Sequence, residues 1–163
     1  MRRVTSIGIA MGALLAMVSV SVASAQGQQT LLWTQLIGSA EVPGPGDPNG
    51  SGVALVTFER DDDAGQYNVC WALAEVGLTD VILAHIHPGA AGTAGNPIIP
   101  FQPPTPTNAG CGTADLALGD AILANPDQYY VNVHTKANPG GAIRGQLMSA
   151  SMMDMMGENT ATW

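Results

Sequence analysis

Positive charge is scarce in this 163-residue chain: five Lys and Arg stand against 13 Asp and Glu, for a formal net charge of −8. Arg2 and Arg3 lie at the extreme N-terminus, so beyond residue 25 only Arg60, Lys136 and Arg144 face the acids. A chain so acidic has no basic stripe with which to displace counterions from phosphates, which excludes nucleic acid as a partner and disfavours an anionic membrane surface. Cysteine is nearly absent as well. Cys70 and Cys111 stand alone, with no Cys-x-x-Cys spacing to suggest a metal or redox motif. No Gly-x-Ser-x-Gly elbow marks a nucleophile. The glycine-rich run Gly89 to Gly95 leads into prolines rather than a helix N-terminus, so it is no phosphate cradle. Glu41, Glu75 and Asp80 are available as carboxylate pairs for glycoside hydrolysis, but nothing in the sequence selects them.

The N-terminus has the order of an export signal: Met1-Arg2-Arg3, an uncharged apolar stretch from Val4 to Val22, then Ala23-Ser24-Ala25. Cleavage before Gln26 is expected, with no cysteine following to carry a lipid anchor. Residues 26–163 then make one domain with a hydrophobic core, secreted or otherwise extracytoplasmic. In such a compartment an even cysteine count implies a Cys70–Cys111 disulfide.

Helical periodicity is missing beyond about three turns, while short apolar runs alternate with Gly, Pro, Asn and Asp, the pattern of a β-sandwich or barrel. Strands are expected at Leu31–Ile37, Val53–Glu59, Tyr67–Val76, Val81–His87, Tyr129–Thr135 and Ile143–Met148. Asp61-Asp62-Asp63 reads as a solvated turn, since adjacent side chains diverge and the alternating ligand spacing of a calcium loop is absent. The five prolines between Pro97 and Pro106 imply an extended surface loop. Asp115–Asn125 suits one short helix stopped at Pro126. Ser149–Trp163 is a tail with Met152, Met153, Met155 and Met156, expected to fray.

The three histidines of the chain carry its most distinctive chemistry. On one strand Ile82, Ala84 and Ile86 share a face, and His85 and His87 share the other. Tyr130, Asn132 and His134 alternate with Val131 and Val133, and Arg144 and Gln146 with Ile143 and Leu147. Each set turns its polar members away from the core. If the strands are neighbours, His85, His87, His134, Asn132, Arg144 and Gln146 meet on one outward surface. His-x-His on a strand spaces two imidazoles by about 6.5–7 Å at the backbone, within reach of one metal ion. A third histidine completes a ligand set suited to copper or zinc. The alternative is that all three make structural hydrogen bonds.

Several separated motifs, in order, resemble a known family: Ala84-His85-Ile86-His87-Pro88-Gly89, Gly95-Asn96-Pro97, Asn125-Pro126, Tyr129 to Thr135, and Asn138-Pro139-Gly140-Gly141-Ala142-Ile143-Arg144-Gly145-Gln146-Leu147. They resemble the CHRD domain, named from chordin, over roughly Leu31 to Met148. The resemblance implies an extracellular, Greek-key-like antiparallel β-sandwich with long loops and at most one short helix, in the segment 26–148. It implies no settled activity. A weaker resemblance in layout is to the copper/zinc superoxide dismutases. It would make His85, His87 and His134 copper ligands and Arg144 the cation that guides the anionic substrate. A bridging histidine and a zinc ligand set are missing, so only a copper-only relative is compatible.

The leading expectation is therefore an extracellular binding or structural module with no catalytic residues, whose partner is an extracellular protein or a small ligand. A copper-dependent redox enzyme is the second reading, and a scaffold with structural histidines the third.

Overall fold

The computed structural model describes residues 29–102 and 109–150. The expected export signal lies outside the described residues, as does the tail from residue 151 on.

Among the described residues are nine strands: β1 (Gln29–Ile37), β2 (Ser51–Asp61), β3 (Gln66–Val76), β4 (Val81–Pro88), β5 (Ile99–Pro100), β6 (Ala109–Asp115), β7 (Tyr129–Thr135), β8 (Ile143–Gln146) and β9 (Met148–Ser149). They form one sheet in the order β5-β4-β7-β8-β1-β2-β3-β6, with β9 also paired to β1. Every pairing is antiparallel. The β1–β8 ladder is a single residue pair, Ile37 with Arg144. The sheet thus behaves as two halves that face each other, β5-β4-β7-β8 against β1-β2-β3-β6, and the all-β expectation holds. Near-closure comes from Phe101, just after β5, whose ring stacks on Trp71 of β3 with centroids 4.6 Å apart and planes at 8°.

Alternation explains the apolar core. Ala54, Val56 and Phe58 of β2 and Val69, Trp71 and Leu73 of β3 point inward, against Ala84, Ile86, Val131, Val133 and Ile143 of the other half. The turn between β2 and β3 is tied by its own acids. Asp61 accepts the Ala64 N–H at 2.9 Å, and Asp62 pairs with Arg60 at 2.7 Å. This is the solvated turn the three aspartates imply.

The helix α1 (Leu116–Ala124) starts where Asp115 accepts the Leu118 N–H at 2.7 Å and gives way to a 3₁₀ turn at Pro126. It buries Ile122 completely. Asp120, on the same helix, accepts from the Tyr67 hydroxyl at 2.8 Å and from Arg60 at 2.9 Å, which ties α1 to the β2–β3 hairpin.

Two strands escape the alternation rule. Part of the proline-rich stretch is a sheet edge and not a free surface loop. The Ile98 and Phe101 N–H groups donate to Ile86 and Ala84 of β4, burying Ile99 and Phe101. Pro97 and Pro100 fall where no donor is needed, as an edge strand permits. Strand β6 contains Gly110-Cys111-Gly112 and has little apolar character, yet it pairs with β3 over its whole length. In that register Cys70 faces Cys111, and the two form a disulfide across 41 residues of chain. At the other end, β9 takes in Ser149, and the Ala150 N–H donates to the Leu31 carbonyl.

A loop of that length gives a cross-link about 4 kcal/mol of stabilisation by restricting the unfolded chain. Replacing both Cys70 and Cys111 with Ser is expected to lower unfolding stability by about 3–4 kcal/mol in a denaturant titration. An unchanged midpoint would show β6 to be held by its ladder alone.

Candidate metal centre

The three segments singled out by alternation are neighbours. Strand β7 lies between β4 and β8, and its register sets His85 opposite Asn132, His87 opposite Tyr130, Asn132 opposite Arg144 and Tyr130 opposite Gln146. His134 lies further along the same face of β7, opposite Leu83. His85, His87, His134, Asn132, Arg144 and Gln146 therefore share one side of the sheet.

That side is not the outward surface expected from the strand pattern. His87, His134, Asn132 and Arg144 retain only 5%, 7%, 4% and 1% of their accessible surface, and His85 is half-buried. Alternation tells which face a residue occupies but not what covers that face. Here three loops fold over it. The loop after β1 brings Glu41 to Asn132, whose Nδ2 donates to Oε2 at 3.2 Å. The loop after β4 brings Gly95, and the β7–β8 loop brings Pro139. Gly141, at φ 144°, lets the last loop pass directly over Glu41, where a Cβ would collide with the carboxylate.

Within this polar layer the histidines converge. One ring nitrogen from each lies within 4.8 Å of the other two. His85 Nδ1 is 3.4 Å from His134 Nε2, close to the roughly 3.3 Å that separates two nitrogens bound to one tetrahedral ion at about 2.0 Å. The loops also set the tautomers. His87 Nδ1 is 2.9 Å from the Gly95 carbonyl, and His134 Nδ1 is 3.1 Å from the Pro139 carbonyl. A carbonyl oxygen only accepts, so each Nδ1 carries the proton and each Nε2 presents a lone pair. His87 Nε2 is buried with no hydrogen-bond partner. This backbone anchoring of the distal N–H is what orients imidazoles toward a metal.

Burial holds all three rings below the ordinary imidazole range. His85 is lowered to about 4, by burial first and then by His134 and His87. His87 and His134 are lowered by burial, partly opposed by their carbonyl partners. At neutral pH all three are uncharged, the state in which an imidazole binds a metal.

The supporting residues form a second network. Arg144 lies over Tyr130, its guanidinium carbon 3.4 Å from the ring centroid, while His87 stacks on Tyr130 at 4.9 Å and 11°. Arg144 Nη2 donates to the carbonyls of Ala90 and Thr93 at 3.1 and 2.8 Å and to Gln146 Oε1 at 3.1 Å. Gln146 Nε2 donates in turn to Gly89, Asp127 and Tyr129. Arg144 is thus a buried tie between β8 and the loop after β4. It is not the accessible guiding cation that the dismutase layout would require. Glu41 is engaged with Asn132, whereas Asp80 meets Lys136 on the surface at 3.6 Å, so those carboxylates do not pair.

The CHRD domain model matches residues 32–147, nearly the whole described chain. The chain belongs to the CHRD family. No curated protein and no solved structure matches it. The CHRD motifs quoted above are the residues that build the polar layer: the His-x-His strand, the Gly95 and Pro139 loops, β7 and β8. Alternation places Tyr130 on the same face as Asn132 and His134, and the structure adds it to the converging set. Glu41 arrives from a distant loop that no local pattern connects to β7.

Burial pushes the Glu41 carboxyl up to about 7, against the lowering effects of Asn132, Arg144 and the Val42 backbone. A carboxyl raised on folding contributes stability below its unfolded value near 4.5 that is lost as pH rises through 7. The depressed histidines act in the opposite sense, so the effect must be read by difference. Glu41→Gln mimics the protonated acid. The stability of wild type relative to this variant should fall by roughly 1–3 kcal/mol between pH 5 and pH 8. A pH-independent difference between the two melting curves would place the Glu41 carboxyl in water.

Proposed function

We propose that this CHRD domain is an exported metal-binding module in which His85, His87 and His134 hold one copper or zinc ion. The observation that carries the reading is the double anchoring of His87 and His134 at Nδ1. It leaves the buried Nε2 of His87 without a partner and turns the Nε2 of His134 toward His85 Nδ1, its one hydrogen-bond partner at 3.4 Å, so that all three rings border one space. Structural histidines would satisfy both ring nitrogens, whereas His87 Nε2 is left bare. Export is supported by the N-terminal sequence and by the Cys70–Cys111 disulfide, which suits an oxidising compartment. Bound there, a copper or zinc ion would supply Lewis acidity or, for copper, one-electron chemistry. Arg144 is held away from solvent, so no residue is assigned the substrate-steering role that a dismutase needs.

The purified exported chain should take up one equivalent of copper or zinc. At a hundredfold excess over the dissociation constant, the ion should add about 2.7 kcal/mol to unfolding stability. His85→Ala and His134→Ala should each weaken binding by a hundredfold or more while leaving the metal-free protein folded. Calorimetry showing no uptake, or uptake unchanged in both variants, would eliminate the site. Superoxide turnover by the copper-loaded protein would instead restore the enzymatic reading.

A further inference from the structure

Imidazole nitrogen alone does not choose between copper and zinc, but charge does. Every donor in the cluster is neutral. Among the described residues no Cys, Asp or Glu joins the three histidines. His87 and His134 keep their Nδ1 protons on carbonyls and so are not anionic imidazolates. The fixed charge adjoining the cluster is a cation: Arg144 lies against Tyr130, and Tyr130 stacks on His87. Glu41, the buried carboxyl of this layer, is engaged with Asn132 and lies outside the donor group.

An ion moved from water to a poorly polarisable site loses solvation in proportion to the square of its charge, so a divalent ion loses about four times as much as a monovalent one. Its repulsion from Arg144 is twice as large. Zinc sites offset this with anionic thiolates or carboxylates, or with water in an open fourth position, and copper(II) favours a tetragonal set of donors. Three neutral nitrogens, two of them on buried rings, supply no anionic donor, and any compensation for a divalent ion is left to water on the side of His85.

We propose that His85, His87 and His134 form a copper(I) site, selecting the monovalent ion over zinc(II) and copper(II) because all three donors are neutral and the adjoining fixed charge is the buried Arg144 guanidinium. The proposal rests on the metal-binding reading above and adds the charge of the ion.

Competition titrations of the folded, disulfide-intact chain test it. Copper(I) is supplied anaerobically with ascorbate against a bicinchoninate competitor, and copper(II) and zinc(II) against chelators of known affinity. Copper(I) is expected to bind at least a thousandfold more tightly than zinc(II). A thousandfold preference over copper(II) would raise the one-electron potential of the bound couple by about 180 mV relative to a site indifferent to oxidation state. Zinc(II) or copper(II) binding as tightly as copper(I) would overturn the proposal while leaving the metal site in place. Failure of all three ions to bind would overturn both. Arg144→Gln retains hydrogen-bond donors but removes the charge, and it should narrow the copper(I)-to-zinc(II) ratio roughly tenfold. Asn132→Asp sets a carboxylate opposite His85 and should narrow it at least as much. An unchanged ratio in either folded variant would overturn the electrostatic cause.

Discussion

Strand β7 is buried on both faces, and the rest of the domain is arranged around that constraint. Residues Tyr130 to Thr135 are all buried. Val131 and Val133 enter the apolar core, while Tyr130, Asn132 and His134 enter a polar layer on the opposite side. A strand between two interiors must have its register fixed, because a slip of one residue would exchange valines with asparagine and histidine. The ladders to β4 and β8 set that register, and the same ladders bring His85, His87, Arg144 and Gln146 alongside.

Burying a polar layer costs free energy unless its groups find partners. The domain meets much of this demand with loop backbone. Carbonyls of Gly95 and Pro139 take imidazole protons, those of Ala90 and Thr93 take the guanidinium, and those of Gly89 and Asp127 take the Gln146 amide. Strand side chains thus hold the loops in place, and the loops in turn bury His87 and His134. Among the described residues, four of the six buried polar side-chain atoms left without a partner, His87 Nε2, Glu41 Oε1, Asn132 Oδ1 and Arg144 Nη1, belong to this layer, and the other two are the indole nitrogens of Trp33 and Trp71. The apolar half-barrel supplies the stability that lets such a layer persist.

Much of this arrangement was legible in the sequence because strand alternation is a local rule. It located β1, β2, β3, β4, β7 and β8 to within a few residues and set the polar residues of β4, β7 and β8 on one shared face, though not the burial of that face. Composition could not reveal β6, whose glycines and cysteine show little alternation and whose place is set by pairing with β3. Nor could it reveal β5, where prolines masked two buried apolar side chains. The burial of the polar face was hidden for a different reason. The loops carrying Gly95 and Pro139 contact β7 through backbone carbonyls, which every residue possesses, so no side-chain pattern records the contact. Glu41 reaches Asn132 across 91 positions of sequence.

The division of labour among the three imidazoles follows from the same architecture. His87 and His134 are each held at two points, by a strand through Cβ and by a loop carbonyl through Nδ1, so neither ring can turn without breaking a buried hydrogen bond. His85 has no carbonyl anchor. It packs edge-on against both other rings, at centroid separations of 5.4 and 5.2 Å, and it alone of the three is not fully buried. The anchored pair defines where a ligand must sit, and the third ring borders the route to solvent. A centre built this way derives its geometry from the loops and its access from the strand residue they leave uncovered. The conformations of the loops carrying Gly95 and Pro139 therefore matter to the chemistry as directly as the histidines do.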